Sequence, residues 1–156
     1  MRKMILIAVA ILFAATSAHC AEVSIGELVD QYQHATDVQK RELEKNFLGK
    51  RLTARGTVEN ASEYNFFDIN TDTGEKYYRV ITRQQETVGK TPYQVIFIYK
   101  DKDKVRDISR GDTMDKEGTL INIVDERLQI AVWIYVDELT AKDRELFQLE
   151  QGRSNL

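Results

Sequence analysis

Aromatic and cationic side chains flank one turn-like segment of the chain. Tyr64 and Phe66 precede the polar run 70–74, and Tyr77 and Arg79 follow it. A polar run of this kind between two apolar segments predicts a hairpin, which would bring the four side chains together. Aromatic rings stack on bases or sugar rings, and an arginine beside them pairs with phosphate. The hairpin is therefore a candidate ligand-binding surface.

A second pair of rings lies on the last predicted strand, 128–136. Aliphatic residues occupy every other position there, so Trp133 and Tyr135 share the opposite, less apolar face. Two interpretations stay open: the rings pack beneath a terminal helix, or they line a groove for a small ligand or peptide. The candidate ligand-binding residues are thus Tyr64, Phe66, Tyr77, Arg79, Trp133 and Tyr135.

The residues that usually carry catalysis or bind metals are scarce. The chain has two histidines and one cysteine, and of the histidines only His34 lies well beyond the leader described below. Zinc clusters and histidine-based triads need more such residues. Acidic pairs such as Asp68 with Asp72 lack a calcium-loop pattern. We expect no enzymatic activity, no catalytic residues, no metal and no cofactor.

The first twenty residues have the pattern of a secretory signal peptide. Arg2 and Lys3 precede an apolar run, 4–15, and small residues follow at 15–18. The apolar run is shorter than the roughly 20 residues that cross a bilayer, and no later segment is longer. The sequence predicts a periplasmic or secreted bacterial protein without a transmembrane segment after cleavage.

The cleavage position decides whether the protein carries a lipid. His19 and Ser17 stand where a lipobox before Cys20 would have a small residue and a leucine, so lipidation is the less favoured outcome. Release at Ala21 is favoured, and it leaves no cysteine for a disulfide. The predicted organisation is a signal peptide at 1–20, a single domain at 21–150 and a flexible tail at 151–156.

The charge balance is acidic. The 156 residues include 25 acidic and 22 basic side chains, and the basic count includes two in the leader. A protein that neutralises phosphates needs a field of the opposite sign. We take this balance to speak against nucleic acid as a partner.

Hydrophobic periodicity predicts a β-rich domain between helices. Ser24 and Glu27 form a capping-box pattern before a helical face. Glycines at positions 56 and 118 interrupt two strand patterns, which is typical of the bends of a small closed barrel. The predicted helices are 25–32, 37–47 and 138–149, and the predicted strands are 52–58, 66–70, 77–83, 93–99, 113–123 and 128–136. This order predicts a mainly β fold: an OB-fold-like Greek-key barrel of five to six strands with N-terminal and C-terminal helices.

The chain resembles the OB-fold tRNA_anti-like family of secreted and lipoprotein-type bacterial domains. The resemblance rests on the leading helix 25–32, the segments 47–52 and 56–58, and the run 108–112 leading into 118–120. It implies a fold similar to that of anticodon-binding domains, and it supplies no catalytic residues. The stretch between Tyr77 and Tyr99 departs from the pattern and indicates one additional strand.

These observations favour an exported, non-enzymatic OB-fold module. Its expected partner is a protein or peptide of the cell envelope, bound through the barrel face and the flanking helices. The alternative is an oligonucleotide or oligosaccharide, bound through the hairpin aromatics. The oligomeric state has no sequence signal.

Overall fold

The described residues form five strands and three helices. The computed structural model describes residues 24–64, 76–84, 91–126 and 129–154, and in 148–154 only the backbone. The helices are α1 (Ile25–His34), α2 (Asp37–Phe47) and α3 (Ala141–Ser154), and the strands are β1 (Arg51–Tyr64), β2 (Tyr77–Arg83), β3 (Tyr93–Tyr99), β4 (Thr113–Glu126) and β5 (Gln129–Tyr135). A 3-10 turn at Lys102–Lys104 lies between β3 and β4. No helix in these ranges is long and apolar enough to span a membrane.

The strands form one mixed sheet that closes in a ring. They pair in the order β1-β2-β3-β5-β4, and β4 pairs with β1. Only the β3–β5 pair is parallel. The long strands β1 and β4 each change register once, between Val58 and Asn60 and between Leu120 and Asn122. Such irregularities bend a strand, which lets each long strand pair with two neighbours. The prediction of a mainly β domain is confirmed, with five strands in the described ranges, whereas the predicted strand 66–70 lies outside them.

The inner face of the sheet holds the main apolar core. Alternate residues of β1 such as Leu52 and Ala54 point inward, as the period-2 pattern predicts. Gly118 also faces inward, and a Cβ there would lie 2.5 Å from Ile134 Cγ2 and 2.6 Å from the Tyr135 carbonyl oxygen. Gly56 is similarly confined, because a Cβ at that position would lie 2.8 Å from Thr82 Cβ. Both glycines therefore allow close strand approach, and neither has a positive φ.

Helix α1 packs against this inner core. Ser24 and Glu27 form the predicted capping box, and the buried residues Ile25, Leu28, Val29 and Tyr32 lie on one face of the helix. Helix α2 also begins with a capping box but buries no side chain completely. Gly49, whose φ is +82°, follows the end of α2 as predicted.

Helix α3 begins later and runs further than predicted. Thr140 and Asp143 cap each other: the Thr140 amide donates to Asp143 Oδ2 at 3.0 Å, and the Asp143 amide donates to Thr140 Oγ1 at 3.2 Å. The helix therefore starts at Ala141 rather than Glu138. Asp137 remains outside the helix because its carboxylate accepts the Lys100 amide at 2.8 Å. The helical backbone ends at Ser154, beyond the predicted domain boundary at 150.

Candidate ligand-binding surface

Three of the predicted site residues meet on the outer face of the sheet. We call Tyr64, Arg79 and Trp133 the platform. The rings of Tyr64 and Trp133 lie 5.5 Å apart at 60°, and Arg79 Cζ lies 5.2 Å from the centre of the Tyr64 ring. Arg79 Nε donates to Ser62 Oγ at 3.1 Å. All three platform residues are partly exposed, so two rings and one cation form a small surface open to solvent.

Strand register explains why these residues meet. Tyr64 is paired with Tyr77, and Ser62 is paired with Arg79, so these β1 and β2 residues share the outer face. On β5, Trp133 alternates with the inward residues Val132 and Ile134 and also points outward. Tyr64 on β1 contacts the indole on β5, although these two strands are not paired with each other. The ring contact therefore depends on the whole sheet order, not on the hairpin alone.

Two of the predicted ligand contacts are buried beneath α3. Tyr77 is 1% exposed and Tyr135 is 0% exposed. The Phe147 ring of α3 lies 6.2 Å from the ring of Tyr77 and 5.1 Å from that of Tyr135, and both contacts are edge-on. For Tyr135 the interpretation of packing beneath a terminal helix is the one observed, whereas Trp133 stays half-buried beside Tyr64. Phe66 lies outside the described residues.

The sequence analysis missed a buried carboxylate next to these rings. Asp143 is completely buried. Its Oδ1 accepts a hydrogen bond from the Tyr77 hydroxyl at 2.7 Å and lies 3.4 Å from Lys100 Nζ. Lys100 Nζ in turn lies 6.0 Å from the centre of the Tyr77 ring. The Thr140-x-x-Asp143 spacing could have indicated a helix cap, but no sequence pattern indicates the tyrosine and lysine partners.

Asp143 stays ionised despite its burial. Burial by itself would raise the pKa of the carboxyl. Hydrogen bonds from Thr140 and Tyr77 and the charge of Lys100 outweigh it and hold that pKa below the ordinary 3.8. The pocket around the carboxylate is thus built from donors and a cation, which is the composition of an anion-binding site.

A separate cleft of about 650 Å³ opens near the end of β3. Tyr99, Met114 and Val136 line it together with charged residues of both signs. The Tyr99 hydroxyl is buried and has no hydrogen-bond partner in the part of the chain that the structure describes. Burial raises the pKa of Tyr99 to about 12, and the Asp137 carboxylate adds to the shift. The mixed charges give this cleft no preference for one ligand class.

Metal ligation has no support within the described ranges. No group of three or more histidine, cysteine, aspartate or glutamate side chains there is arranged to hold an ion.

Comparisons with known proteins give little further identification. No protein-family model matches the chain, and no curated protein matches it. The chain is similar to a crystal structure described as a "putative nucleic acid-binding lipoprotein" from Klebsiella pneumoniae subsp. pneumoniae MGH 78578. The two share 16% identity with a TM-score of 0.49, and the match covers 70% of this chain and 84% of that one. The family resemblance stated above therefore stays a prediction.

One expectation from composition is corrected by this comparison. The acidic charge balance was taken to speak against nucleic acid as a partner, yet the similar chain carries a nucleic acid-binding description. The physical reason is that net charge sums over the whole surface and does not determine the field at one face. Here Arg79 and Lys100 lie on the aromatic face, Lys100 beside the Asp143 carboxylate, while most of the acidic residues that set the net charge lie elsewhere in the chain. The exclusion is withdrawn, and a likeness of this size assigns no partner to the present chain.

Proposed function

We propose that this protein is a non-enzymatic OB-fold module of the cell envelope that binds single-stranded oligonucleotides on the outer face of its sheet. The observation that carries the proposal is the platform, in which the Tyr64 ring lies within contact distance of both Trp133 and the Arg79 guanidinium. Base rings stack on such side chains with little sequence preference, and the guanidinium pairs with the backbone phosphate.

The strand order supports the OB-fold part of the proposal. A five-stranded ring with the order β1-β2-β3-β5-β4 and a parallel β3–β5 pair is the connectivity expected of that fold. OB-folds bind oligonucleotides and oligosaccharides on the face of their second and third strands. Arg79 lies on β2, and the two platform rings extend over the same face. Membership of the tRNA_anti-like family is part of this proposal.

Arg79 favours an oligonucleotide over an oligosaccharide as the ligand. Both oligonucleotides and oligosaccharides stack on aromatic rings, but every nucleotide linkage brings an anion for the guanidinium, which a neutral oligosaccharide lacks. A protein partner has less support, because within the described ranges the only large hydrophobic side chain that is strongly exposed is Val38, at 68%. Protein-binding surfaces usually expose a larger apolar patch.

Export is proposed from the leader sequence. Arg2 and Lys3 before the apolar run 4–15 favour secretion with cleavage before Ala21. The intact mass of the protein isolated from its host tests this directly. A mass starting at Ala21 is the expected result, and a diacylglycerol increment on Cys20 would show a lipoprotein instead.

The binding proposal is tested with fluorescein-labelled hexathymidylate in low salt. Fluorescence anisotropy measures the affinity, and the emission of Trp133, the single tryptophan, reports contact with the platform. We expect quenching on binding and an affinity loss of about tenfold in both Trp133→Ala and Arg79→Ala, because each removes one stacking or phosphate contact. Arg55→Ala is the matched control: it removes the same charge from an exposed position of β1 that is paired with Asp115 of β4.

Salt dependence and a sugar ligand complete the test. Affinity should fall with rising salt, and Arg79→Ala should reduce the slope by about 0.7 if one phosphate contact is lost. Equal losses in Arg79→Ala and Arg55→Ala would show a diffuse charge effect and overturn the platform. Binding of a dextran oligosaccharide that does not depend on Arg79, without binding of hexathymidylate, would favour the oligosaccharide alternative.

A further inference from the structure

We propose that α3 is a displaceable cover, which occupies half of the aromatic face and is displaced by a nucleic acid strand longer than the platform can hold. This inference rests on the proposed function and adds a form of regulation to the same site. Three features of the structure carry it: the continuity of the aromatic face, the thin contact beneath α3, and the anionic side chain that α3 places against that face.

The platform and the covered rings form one surface. Tyr64 and Tyr77 are directly paired across β1 and β2. The rings of Tyr77 and Tyr135 lie 6.4 Å apart, and Tyr135 is two residues from Trp133 on the same face of β5. Four rings therefore lie together on the outer face of the sheet. Tyr64 and Trp133 are accessible, whereas α3 covers Tyr77 and Tyr135. Without the helix, the stacking surface would be about twice as large.

Few of the α3 side chains that the structure describes are buried. Of the seven helix residues whose side chains are described, 141–147, only Asp143 and Phe147 are buried. By contrast, α1 buries four apolar residues out of ten. A crevice of about 170 Å³ beside α3 is lined by Phe147, Leu139 and Leu120, among other residues. In its described half, α3 is held by Phe147 and Asp143, with Leu146 partly buried against the same cluster. A helix with a contact of this size is suited to detach while the ring of strands stays folded.

The buried carboxylate occupies the position that a phosphate could take. Asp143 Oδ1 accepts a hydrogen bond from the Tyr77 hydroxyl at 2.7 Å and lies 3.4 Å from the Lys100 ammonium. When α3 lifts, these two donors and the exposed Tyr77 ring become available together. A phosphate oxygen makes the same charge-assisted hydrogen bonds as a carboxylate oxygen. Asp143 thus acts as an internal competitor for the anion of the ligand.

The test compares ligand lengths in a variant whose cover is weakened. Phe147→Ala removes the aromatic anchor without changing the charge. We expect its affinity for dodecathymidylate to rise by about tenfold, because a larger fraction of molecules then has the open face. Its affinity for hexathymidylate, which the platform alone can hold, should stay within about twofold of the wild type. Val29→Ala is the control, since Val29 is equally buried but packs in the inner core with α1.

Hydrogen exchange of the wild-type protein provides an independent measurement. Amides of α3 should exchange faster when dodecathymidylate is added, whereas those of β3 should not. In one outcome, both oligonucleotides bind the platform while Phe147→Ala leaves the dodecathymidylate affinity unchanged and α3 stays protected from exchange. That result would overturn the proposal that α3 is displaced and would leave the binding proposal intact. Binding of dodecathymidylate by Phe147→Ala alone would support the cover. If neither protein binds either oligonucleotide, both proposals fail.

Discussion

The two faces of the sheet are built differently. The inner face is apolar and so closely packed that position 118 has no room for a methyl group, and α1 adds four buried apolar residues to it. The outer face carries half-exposed rings, an arginine and a helix held by Phe147 and Asp143. The difference indicates that stability is concentrated inside the ring and that the outer face contributes less to it.

Approximate free energies of burial also differ between the α1 and α3 contacts. Each fully buried aliphatic side chain contributes about 1.5 to 3 kcal/mol through the hydrophobic effect, so the α1 contact is worth several such contributions. The described part of the α3 contact contains one comparable side chain, Phe147, a partly buried one, Leu146, and the ion pair of buried Asp143 with partly exposed Lys100. Such ion pairs contribute little net stability because desolvation offsets the attraction. We therefore expect mutations on the two faces to have unequal effects.

The largest effect is expected from filling the inner face. Gly118→Ala should destabilise the fold by about 3 kcal/mol, since the added methyl group would overlap Ile134 and the Tyr135 carbonyl. Urea denaturation followed by circular dichroism measures this. Gly26→Ala is the control, because its Cβ would make only an ordinary 3.8 Å contact with the Tyr93 hydroxyl. An unchanged midpoint for Gly118→Ala would show that the inner face is less tightly packed than the distances indicate.

A nearly equal effect is expected from emptying the same face. Leu28→Ala should cost about 3 kcal/mol of global stability, because Leu28 is 0% exposed within the inner core. The exposed neighbour Gln33→Ala should change stability by less than about 0.5 kcal/mol. Denaturation curves that show loss of α1 before the strands unfold would contradict the view that α1 belongs to the core.

A smaller and local effect is expected on the outer face. Phe147→Ala should lower global stability by about 1 kcal/mol, less than the 3 to 5 kcal/mol typical of a buried phenylalanine, because α3 can detach on its own. Hydrogen exchange should show faster exchange along α3 and unchanged protection in β3. Equal loss of hydrogen-exchange protection in α3 and β3 would contradict the proposed difference between the two faces.

The smallest effect is expected from pH. The pKa of Asp143 is below 3.8 in the folded chain, so its contribution to docking α3 is present above the pKa of the unfolded chain and is lost as pH falls through the folded value. Protection of α3 amides should therefore fall below about pH 4.

A variant separates this carboxylate from its neighbours. The pKa of Asp137 is also lowered, since its bonds with Lys104, Lys100 and Asp101 outweigh its burial, and it titrates in the same range. Asp143→Asn keeps Asp137, so it should weaken α3 at neutral pH and remove most of the pH dependence of α3 exchange. An unchanged pH profile in Asp143→Asn would assign the effect to Asp137.

Local patterns in the sequence determined most of the elements. The capping box of Ser24 with Glu27 and the alternation along β1 correspond to the helix and strand observed, because hydrogen bonds three residues apart and side-chain periodicity are properties of neighbouring residues. Aromatic side chains near Arg79 also marked part of the platform from the sequence, since residue type alone indicates stacking chemistry.

Only the tertiary structure decided what covers each face. A period-2 pattern places Tyr77 and Tyr135 on the outer face but does not say which element lies over it, and here α3 arrives from the far end of the chain to bury both rings. The contact between Tyr64 and Trp133 and the pairing of Asp143 with Lys100 likewise join residues separated by 69 and 43 positions. Such contacts form only when the sheet closes, because strand pairing between distant segments is set by the packing of the whole chain and not by the residues near each position.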